Sequence, residues 1–280
     1  MKNSTKVEQL PLAEGVRVVA SNEDGLVALD KPVLVRSHPN TDDQSKPSIL
    51  NAAYDHKDEV FIWQDAAGME CRAWLINRLD SPTSGILLLG LNPEVTTVIK
   101  QQFAAHKVEK VYYAIVRHRL KSMTGTWRDR LTKASKKPGR TKSAVEAVSA
   151  IARFKWLKSP KTGFAVSLIQ LMPTTGRTHQ LRIQCQKHGH AIVGDQTYGD
   201  FSFNREVHKE TRIKRMFLHS GRTRVNYSLA GKARSFEAKS PLPEAYTTVM
   251  EYKPGLSRGV NVKREEFKSK TRLDQRRFRR

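Results

Sequence analysis

Residues 77–91 decide how the rest of the sequence is interpreted: they are Asn77-Arg78-Leu79-Asp80-Ser81-Pro82-Thr83-Ser84-Gly85, followed by Ile-Leu-Leu-Leu-Gly-Leu. The apolar run at 85–91 has the length of a strand and is typical of a buried central strand. An aspartate before Ser-Pro is typical of a turn, in which its side chain accepts backbone N–H groups. Considered alone, Asp80 is best explained in this way. The functional alternative is a carboxylate held at the end of a core strand, where it could act as a nucleophile or a general base.

Outward from this stretch, helix and strand patterns mix irregularly. Residues 92–94 (Asn-Pro-Glu) are typical of a helix start, and a short helix is predicted from Pro47. Strand patterns occur at 111–116, 144–154 and 164–172. Because strands and helices do not alternate strictly, the sequence predicts an α+β fold with one large mixed sheet.

The charge of the chain is strongly one-sided. The 280 residues include 50 Lys and Arg against 27 Asp and Glu, which gives a formal net charge of +23. Residues 1–100 hold 10 basic and 14 acidic side chains, so the excess lies in the remainder. Solubility alone needs a net charge of about 2–8 in a small domain. The excess therefore predicts a polyanionic partner, with nucleic acid as the leading candidate and a membrane surface as the weaker one.

Several classes of site are not indicated by the sequence. There is no Walker loop and no strand-to-helix Gly-x-Gly-x-x-Gly motif, so no cofactor is expected. Cys185 lies near His188 and His190, but this set contains no second cysteine and lacks the usual zinc spacing, so we expect a buried thiol and no metal. No apolar run approaches the ~18 residues that span a membrane, and the start lacks an apolar signal segment. We therefore expect a cytoplasmic protein.

Two later stretches also combine unusual residues. In 174–183, a helix would place His179 and Arg182 on one face. That face is either a solvated polar surface or an anion site, because Gly176-Arg177-Thr178 brings free backbone N–H groups and a cation together. The other stretch, 194–199 (Gly-Asp-Gln-Thr-Tyr-Gly), would pass alone as a surface turn.

Taken together and in order, these stretches resemble the RluA family of RNA pseudouridine synthases. Residues 78–85 are similar to its Arg-Leu-Asp-x-x-Thr-Ser-Gly signature, and 110–116 to its Lys-x-Tyr-x-Ala-x-Val strand. Residues 176–182 are similar to its Gly-Arg-Thr-His-Gln-Leu-Arg block, 194–199 to its Gly-Asp-x-x-Tyr-Gly loop, and 218–219 to its Leu-His motif. The departures are Asn77, where the family usually has His, and Val33-Leu34, where a small residue and Gly are usual. The resemblance covers roughly residues 16–245.

The resemblance implies the pseudouridine synthase fold, with a large and mostly antiparallel sheet flanked by helices and loops. It also implies that the chain isomerises a specific uridine of rRNA or tRNA without a cofactor or metal. Asp80 would be the essential carboxylate, acting on the sugar or the base or through a glycal-like route. Arg182 would pair with Asp80, Tyr112 would stack on the uracil, and Arg78 would fill the space that the uridine vacates. Tyr112 is otherwise an ordinary strand aromatic, and Arg78 a surface cation.

The domain organisation follows from the same patterns. We expect an N-terminal arm at 1–15, a catalytic domain at 16–256 and a basic, disordered tail at 257–280, with no room for the S4-type domain that many relatives carry. Within the catalytic domain, residues 117–143 hold ten basic residues against Asp129 and are predicted to be an exposed basic excursion. The expected partner is RNA, and the expected state is a monomer.

Two other classes of function remain open. One is a catalytically idle RNA-binding or ribosome-assembly protein that keeps the fold, although the joint presence of Asp80, Tyr112 and Arg182 argues against it. The other is a basic DNA-binding nuclease or glycosylase. The lack of clustered metal ligands in the sequence disfavours a two-metal nuclease.

Overall fold

A computed structural model describes residues 7–40, 47–132 and 147–255, and within these ranges it is built on one large mixed sheet. The twelve strands are β1 (Arg17–Ser21), β2 (Leu26–Lys31), β3 (Ala53–Asp55), β4 (Val60–Gln64), β5 (Glu70–Leu75), β6 (Ser84–Gly90), β7 (Glu109–Arg117), β8 (Thr124–Thr132), β9 (Ala147–Lys158), β10 (Val166–Pro173), β11 (Leu218–Leu229) and β12 (Lys232–Lys239). The helices of the described ranges are α1 (Pro93–Ala104), α2 (Gln180–Lys187), α3 (Phe201–Thr211) and α4 (Glu244–Met250). The predicted α+β class is confirmed.

The strand order of the sheet brings distant parts of the chain together. The main path runs β3-β4-β5-β6-β11-β7-β10-β9-β8, with β2 pairing β6, β1 pairing β2 and β12 pairing β11. Most neighbouring strands are antiparallel. Strands β6 and β11 pair in parallel through His219↔Ser84 and Ser220↔Gly85. This pairing joins the strands before residue 91 to those after residue 108.

The predicted central strand is confirmed as β6, in which every residue is buried. Its side chains alternate between two apolar clusters, with Leu87 and Leu89 on one face and Ile86 and Leu88 on the other. Because both faces are covered, the strand has to be apolar along its whole length. The sequence at 85–91 meets that requirement.

Gly85 is required by the parallel pairing with β11. Its φ is +106°, and a Cβ atom at this position would lie 2.2 Å from the carbonyl oxygen of Ser220. A side chain would therefore push β11 away from β6 directly beside the turn that holds Asp80. The glycine of the signature thus has a steric reason.

The helix predicted after Asn92 is confirmed as α1. The Asn92 side chain accepts a hydrogen bond from the backbone N–H of Val95, and Pro93 occupies the first turn. Helix α2 begins at Gln180 rather than at 174, because His179 adopts a left-handed conformation with φ 53°. The preceding segment 174–179 is therefore a loop at the mouth of a cavity.

Several local expectations differ from the structure. The helix predicted from Pro47 is absent there: Ser48 forms a bridge with Arg36, and Leu50 forms one with Leu12. The polar arm contains Leu10 and Ala13, both buried in the core.

Part of the basic excursion belongs to a long hairpin formed by β8 and β9. On β8, Trp127 and Leu131 face the core, while Arg128 and Arg130 are exposed. Residues 133–146 and the predicted tail at 257–280 lie outside the described residues. Within the described ranges, no helix is both long and apolar enough to cross a membrane.

Candidate active site

Asp80 lies in the turn between β5 and β6, as the sequence predicted. The backbone N–H of Thr83 donates to the carbonyl of Asp80 at 2.9 Å, which closes the turn. The Asp80 side chain is 27% exposed, and its carboxylate points towards Arg182. The turn explains the backbone around Asp80, and its carboxylate is directed into the site.

The predicted contact between Asp80 and Arg182 is confirmed. Nη1 of Arg182 donates to Oδ2 of Asp80 at 3.0 Å, across 102 positions of sequence. Arg182 projects from the first turn of α2 and is 5% exposed. A planar guanidinium that is held in this way fixes the direction of the carboxylate better than a flexible ammonium group would.

A second carboxylate, Asp195, holds Arg182 from the other side. Nε of Arg182 donates to Oδ2 of Asp195 at 2.7 Å, and Nη2 donates to Oδ1 at 2.9 Å, which forms a bidentate pair. Asp195 is fully buried and also accepts the backbone N–H groups of Thr197 and Tyr198. Burial alone would raise the pKa of Asp195, but the hydrogen bonds from Arg182 and these backbone groups lower it. The loop 194–199 is therefore part of the site and not a surface turn.

Lys31 stabilises the backbone of the turn that carries Asp80. Its Nζ donates to the carbonyls of Val35 at 2.7 Å, Pro32 at 2.9 Å and Ser81 at 3.1 Å. The side chain is fully buried, and this burial lowers its pKa to about 7, against the attraction of Asp80. Because Ser81 follows Asp80 directly, Lys31 fixes the backbone that carries the carboxylate.

Tyr112 lies in β7 and lines a cavity of about 130 Å³ together with Asp80 and Arg182. Burial raises the pKa of Tyr112 to about 12; a hydrogen bond with Ser220 lowers it, and the charge of Asp80 raises it further. The phenol is therefore neutral at physiological pH. The structure thus brings Tyr112 beside Asp80, as expected.

The cavity opens into a groove of about 520 Å³ that shares part of its lining. Three basic side chains, those of Arg78, Lys110 and Arg177, line both spaces. Among the described residues that line the two spaces, Asp80 is the acidic one. The site is thus a cationic groove with a single carboxylate at its floor, which suits a polyanionic substrate.

His179 is a further neighbour of the Asp80 carboxylate. Its Nε2 is 3.7 Å from Oδ2 of Asp80, and its Nδ1 is 3.1 Å from the hydroxyl of Tyr198. Sequence reasoning also missed Lys31 and Asp195 as members of the site. The available signals were the Lys-Pro pair after β2 and the acidic residue inside the loop at 194–199.

The residues considered for zinc do not form a cluster. Cys185 is buried, and burial raises the pKa of its thiol. His188 stacks on Trp127 and contacts Asp129, whereas His190 contacts the carbonyl of Arg117. No group of three or more metal-ligating side chains occurs among the residues with described positions.

Comparison with known proteins agrees with this geometry. Residues 25–187 match the family model for RNA pseudouridylate synthase. The tRNA pseudouridine synthase C of Yersinia pestis is 31% identical over 204 residues, which cover 66% of this chain and 76% of the relative. The ribosomal large subunit pseudouridine synthase C of Rickettsia prowazekii is 31% identical over 221 residues, which cover 78% of this chain and 66% of the relative.

The match covers only part of the length of a third relative. The tRNA pseudouridine synthase C of Pectobacterium carotovorum is 31% identical over 221 residues, and this match spans 56% of its length. Among solved structures, human RNA Pseudouridylate Synthase Domain Containing 1 has a TM-score of 0.61 at 23% identity and covers 86% of this chain and 90% of the human chain. That similarity concerns the fold. The sequence matches place the chain in the RluA family of RNA pseudouridine synthases, enzymes that isomerise uridine to pseudouridine in RNA.

Proposed function

We propose that this chain isomerises a uridine of a tRNA or an rRNA, with Asp80 as the essential carboxylate. The observation that carries the proposal is the position of Asp80, which Arg182 holds at 3.0 Å on the floor of a cavity lined by Tyr112. The choice of RNA is supported by relatives named for tRNA and for the ribosomal large subunit. Such a protein would act in the cytoplasm, where those RNAs are.

The reaction needs a small number of groups. The bond between N1 of uracil and C1′ of ribose breaks, a bond between C5 and C1′ forms, and the proton at C5 is replaced by one at N1. Atoms and charge balance without an oxidant or reductant. Asp80 would act on the sugar or the base, or through a glycal-like route, and Arg182 would keep it aimed while the base turns. The rigid support from Asp195 and Lys31 serves the same purpose, because a misplacement of about 1 Å can cost 10²-fold in rate.

Tyr112 and Arg78 would bind the target nucleotide. A base inside a helix cannot reach Asp80, so it must leave its stack at a cost of a few kcal/mol. Stacking on an aromatic ring returns about 1–3 kcal/mol. Tyr112 offers its ring in the cavity, and the exposed Arg78 at the mouth would fill the space left in the RNA.

The wider surface would hold the RNA backbone. On the β8–β9 hairpin, Arg128, Arg130 and Arg153 are exposed. Nε of Arg177 donates to the carbonyl of Ser149 in β9 at 3.3 Å, which connects this hairpin with the mouth of the cavity. Contacts between these arginines and RNA phosphates would fix the position of the RNA without reading its sequence. The tail at 257–280 would add further contacts.

The decisive experiment replaces Asp80 with Asn, which keeps the shape and removes the charge. Asp58→Asn is the matched control, because Asp58 is exposed and lies in a different turn. The RNA substrate is identified first, by mapping pseudouridines in total tRNA and rRNA from cells with and without the gene. We expect Asp58→Asn to act like the unaltered protein, and Asp80→Asn to bind that RNA without forming pseudouridine.

Two results would contradict the proposal. One is pseudouridine formation by Asp80→Asn at a rate near that of the control. The other is an unchanged pseudouridine map in cells that lack the gene, which would favour an idle RNA-binding protein.

A further inference from the structure

A column of aromatic rings reaches the groove that opens from the Asp80 cavity. His38 lines the groove and stacks on Tyr54, with ring centroids 5.2 Å apart and planes within 12°. Tyr54 in turn packs on Phe61 at 4.7 Å, and Phe61 is fully buried. His56 closes the side of the column, with its ring edge-on to both His38 and Tyr54. The column rises from the core and ends with the His38 ring in the groove.

The orientation of the His38 ring is fixed. Its Nδ1 lies 2.7 Å from the carbonyl oxygen of Pro39. A carbonyl oxygen can only accept, so Nδ1 carries the hydrogen of this bond. Together with the stack on Tyr54, this bond holds the ring plane and so reduces the conformational entropy that binding would otherwise cost.

The distance between the column and Asp80 is also fixed by the fold. Oγ of Ser37 donates to the carbonyl of Leu79 at 2.8 Å and accepts the backbone N–H of Leu79 at 2.9 Å. Both residues are buried. Ser37 directly precedes His38, and Leu79 directly precedes Asp80. The two hydrogen bonds therefore tie the ring column and the carboxylate to each other.

The charges around the column suit a nucleotide. Arg78 belongs to both parts of the site: it lines the Asp80 cavity and the groove, and its charge acts on the Tyr54 hydroxyl. Burial, followed by the charge of Glu59, raises the pKa of Tyr54 to about 12, so the column is uncharged at that ring. A neutral aromatic surface beside a guanidinium is the combination that binds a base together with its phosphate.

We propose that His38 is a second base-binding position, which stacks on an unpaired nucleotide near the target uridine in the same RNA strand. This inference rests on the proposed function, because the first base is the one bound at Tyr112. Stacking tolerates any base, so the position selects for an unpaired neighbour and not for its identity. Such a position would let the chain select an RNA in which the neighbouring nucleotide is unpaired, without base-specific contacts.

The test uses single-stranded tetranucleotides in which most positions are abasic. The reference carries one uracil at an end, and the others add a second uracil at each remaining position, with both strand directions included. Affinities are measured by isothermal titration. For the unaltered protein, one spacing should bind about 5- to 150-fold more tightly than the reference, which corresponds to stacking worth about 1–3 kcal/mol.

Three variants separate stacking from other effects. His38→Ala should lose the gain from the second base and keep its affinity for the one-base reference, which also shows that the Tyr112 cavity is intact. His38→Phe should keep the gain, because a phenyl ring can stack. His208→Ala, at an exposed position of α3, is the matched control and should behave like the unaltered protein.

A gain that persists in His38→Ala, or no gain at any spacing in the unaltered protein, would overturn the inference. The outcome is independent of catalysis. A protein that forms no pseudouridine but shows the His38-dependent gain would contradict the proposed function and retain the second base position.

Discussion

The ion pair between Arg182 and Asp195 supports the strongest quantitative prediction. Asp195→Asn keeps the size of the side chain and removes its charge. It eliminates one of two charge-assisted hydrogen bonds, at 2.7 and 2.9 Å, and turns an amide N–H towards the guanidinium. Charged hydrogen bonds contribute about 1.5–3 kcal/mol each, and breaking a buried ion pair costs about 3–5 kcal/mol. We expect the free energy of unfolding to fall by about 3–5 kcal/mol.

The same variant should impair catalysis more than binding. Arg182 would keep its hydrogen bond to Asp80, but a single neutral acceptor would replace the bidentate carboxylate at its other edge. The carboxylate would then no longer be held in one place, and we expect the single-turnover rate on saturating RNA to fall about 10- to 100-fold. The dissociation constant for RNA should stay within about twofold, because Asp195 is buried and does not line the groove.

The measurements are urea unfolding at pH 7 and single-turnover pseudouridine formation, with Asp58→Asn as the control. A double variant, Asp195→Asn with Arg182→Met, tests the reasoning directly. Because it removes the cation as well, it should cost clearly less stability than the sum of the two single changes. The account of the pair would be refuted if the losses in free energy of unfolding of the two single variants added up in the double variant. A loss below about 1 kcal/mol in Asp195→Asn would also refute it.

Four further predictions concern other parts of the molecule. Lys31→Met leaves three backbone carbonyls without their donor, so the free energy of unfolding measured in urea should fall by about 2–4 kcal/mol. The single-turnover rate should fall as well, and an unchanged rate would contradict the positioning role of Lys31. Burial alone would raise the pKa of Asp129, but hydrogen bonds from Gln184, Lys187 and His188 lower it to about 2. Its stabilisation is therefore present above about pH 4 and disappears as the pH falls towards 2. Asp129→Asn should be about 2 kcal/mol less stable at pH 7 and converge with the unaltered protein near pH 2; a constant difference would argue against this. The double variant Arg128→Gln with Arg153→Gln should weaken RNA binding. The slope of log K against log salt should flatten by about 0.7–0.9 for each phosphate that is no longer neutralised. A slope equal to that of the unaltered protein would place the RNA elsewhere. Removal of residues 257–280 should flatten that slope too and leave single turnover intact, and unchanged affinity and slope would show that the tail does not bind RNA.

Local sequence signals were sufficient for the elements that depend on local physics. The continuous apolar run predicted the buried strand β6, and the Asn-Pro-Glu start predicted α1. The pairing of Arg182 with Asp80 came from a resemblance and not from spacing, because nothing local relates residues 102 positions apart. Its confirmation shows the value of motifs in register over a whole domain.

The parts that were not predicted depend on tertiary contacts. Asp195 sits in a segment of turn-forming residues, yet it is fully buried because Arg182 supplies the opposite charge. Lys31 would be expected at the surface by residue type, and it is buried because three carbonyls converge on its Nζ. The expected helix after Pro47 is replaced by bridges to Arg36 and Leu12, partners that local propensity does not reveal.

The short parallel pairing between β6 and β11 also has a consequence for synthesis of the protein. The turn that carries Asp80 leads into β6, in which Gly85 pairs with Ser220, 135 residues later in the chain. At about 5–20 residues per second, a ribosome needs roughly 7–27 s to make that interval. During this time β6 lacks its parallel partner, and the cleft around the Asp80 carboxylate is incomplete. Late closure of β6 on β11 would therefore delay assembly of the Asp80 site until most of the chain has been made.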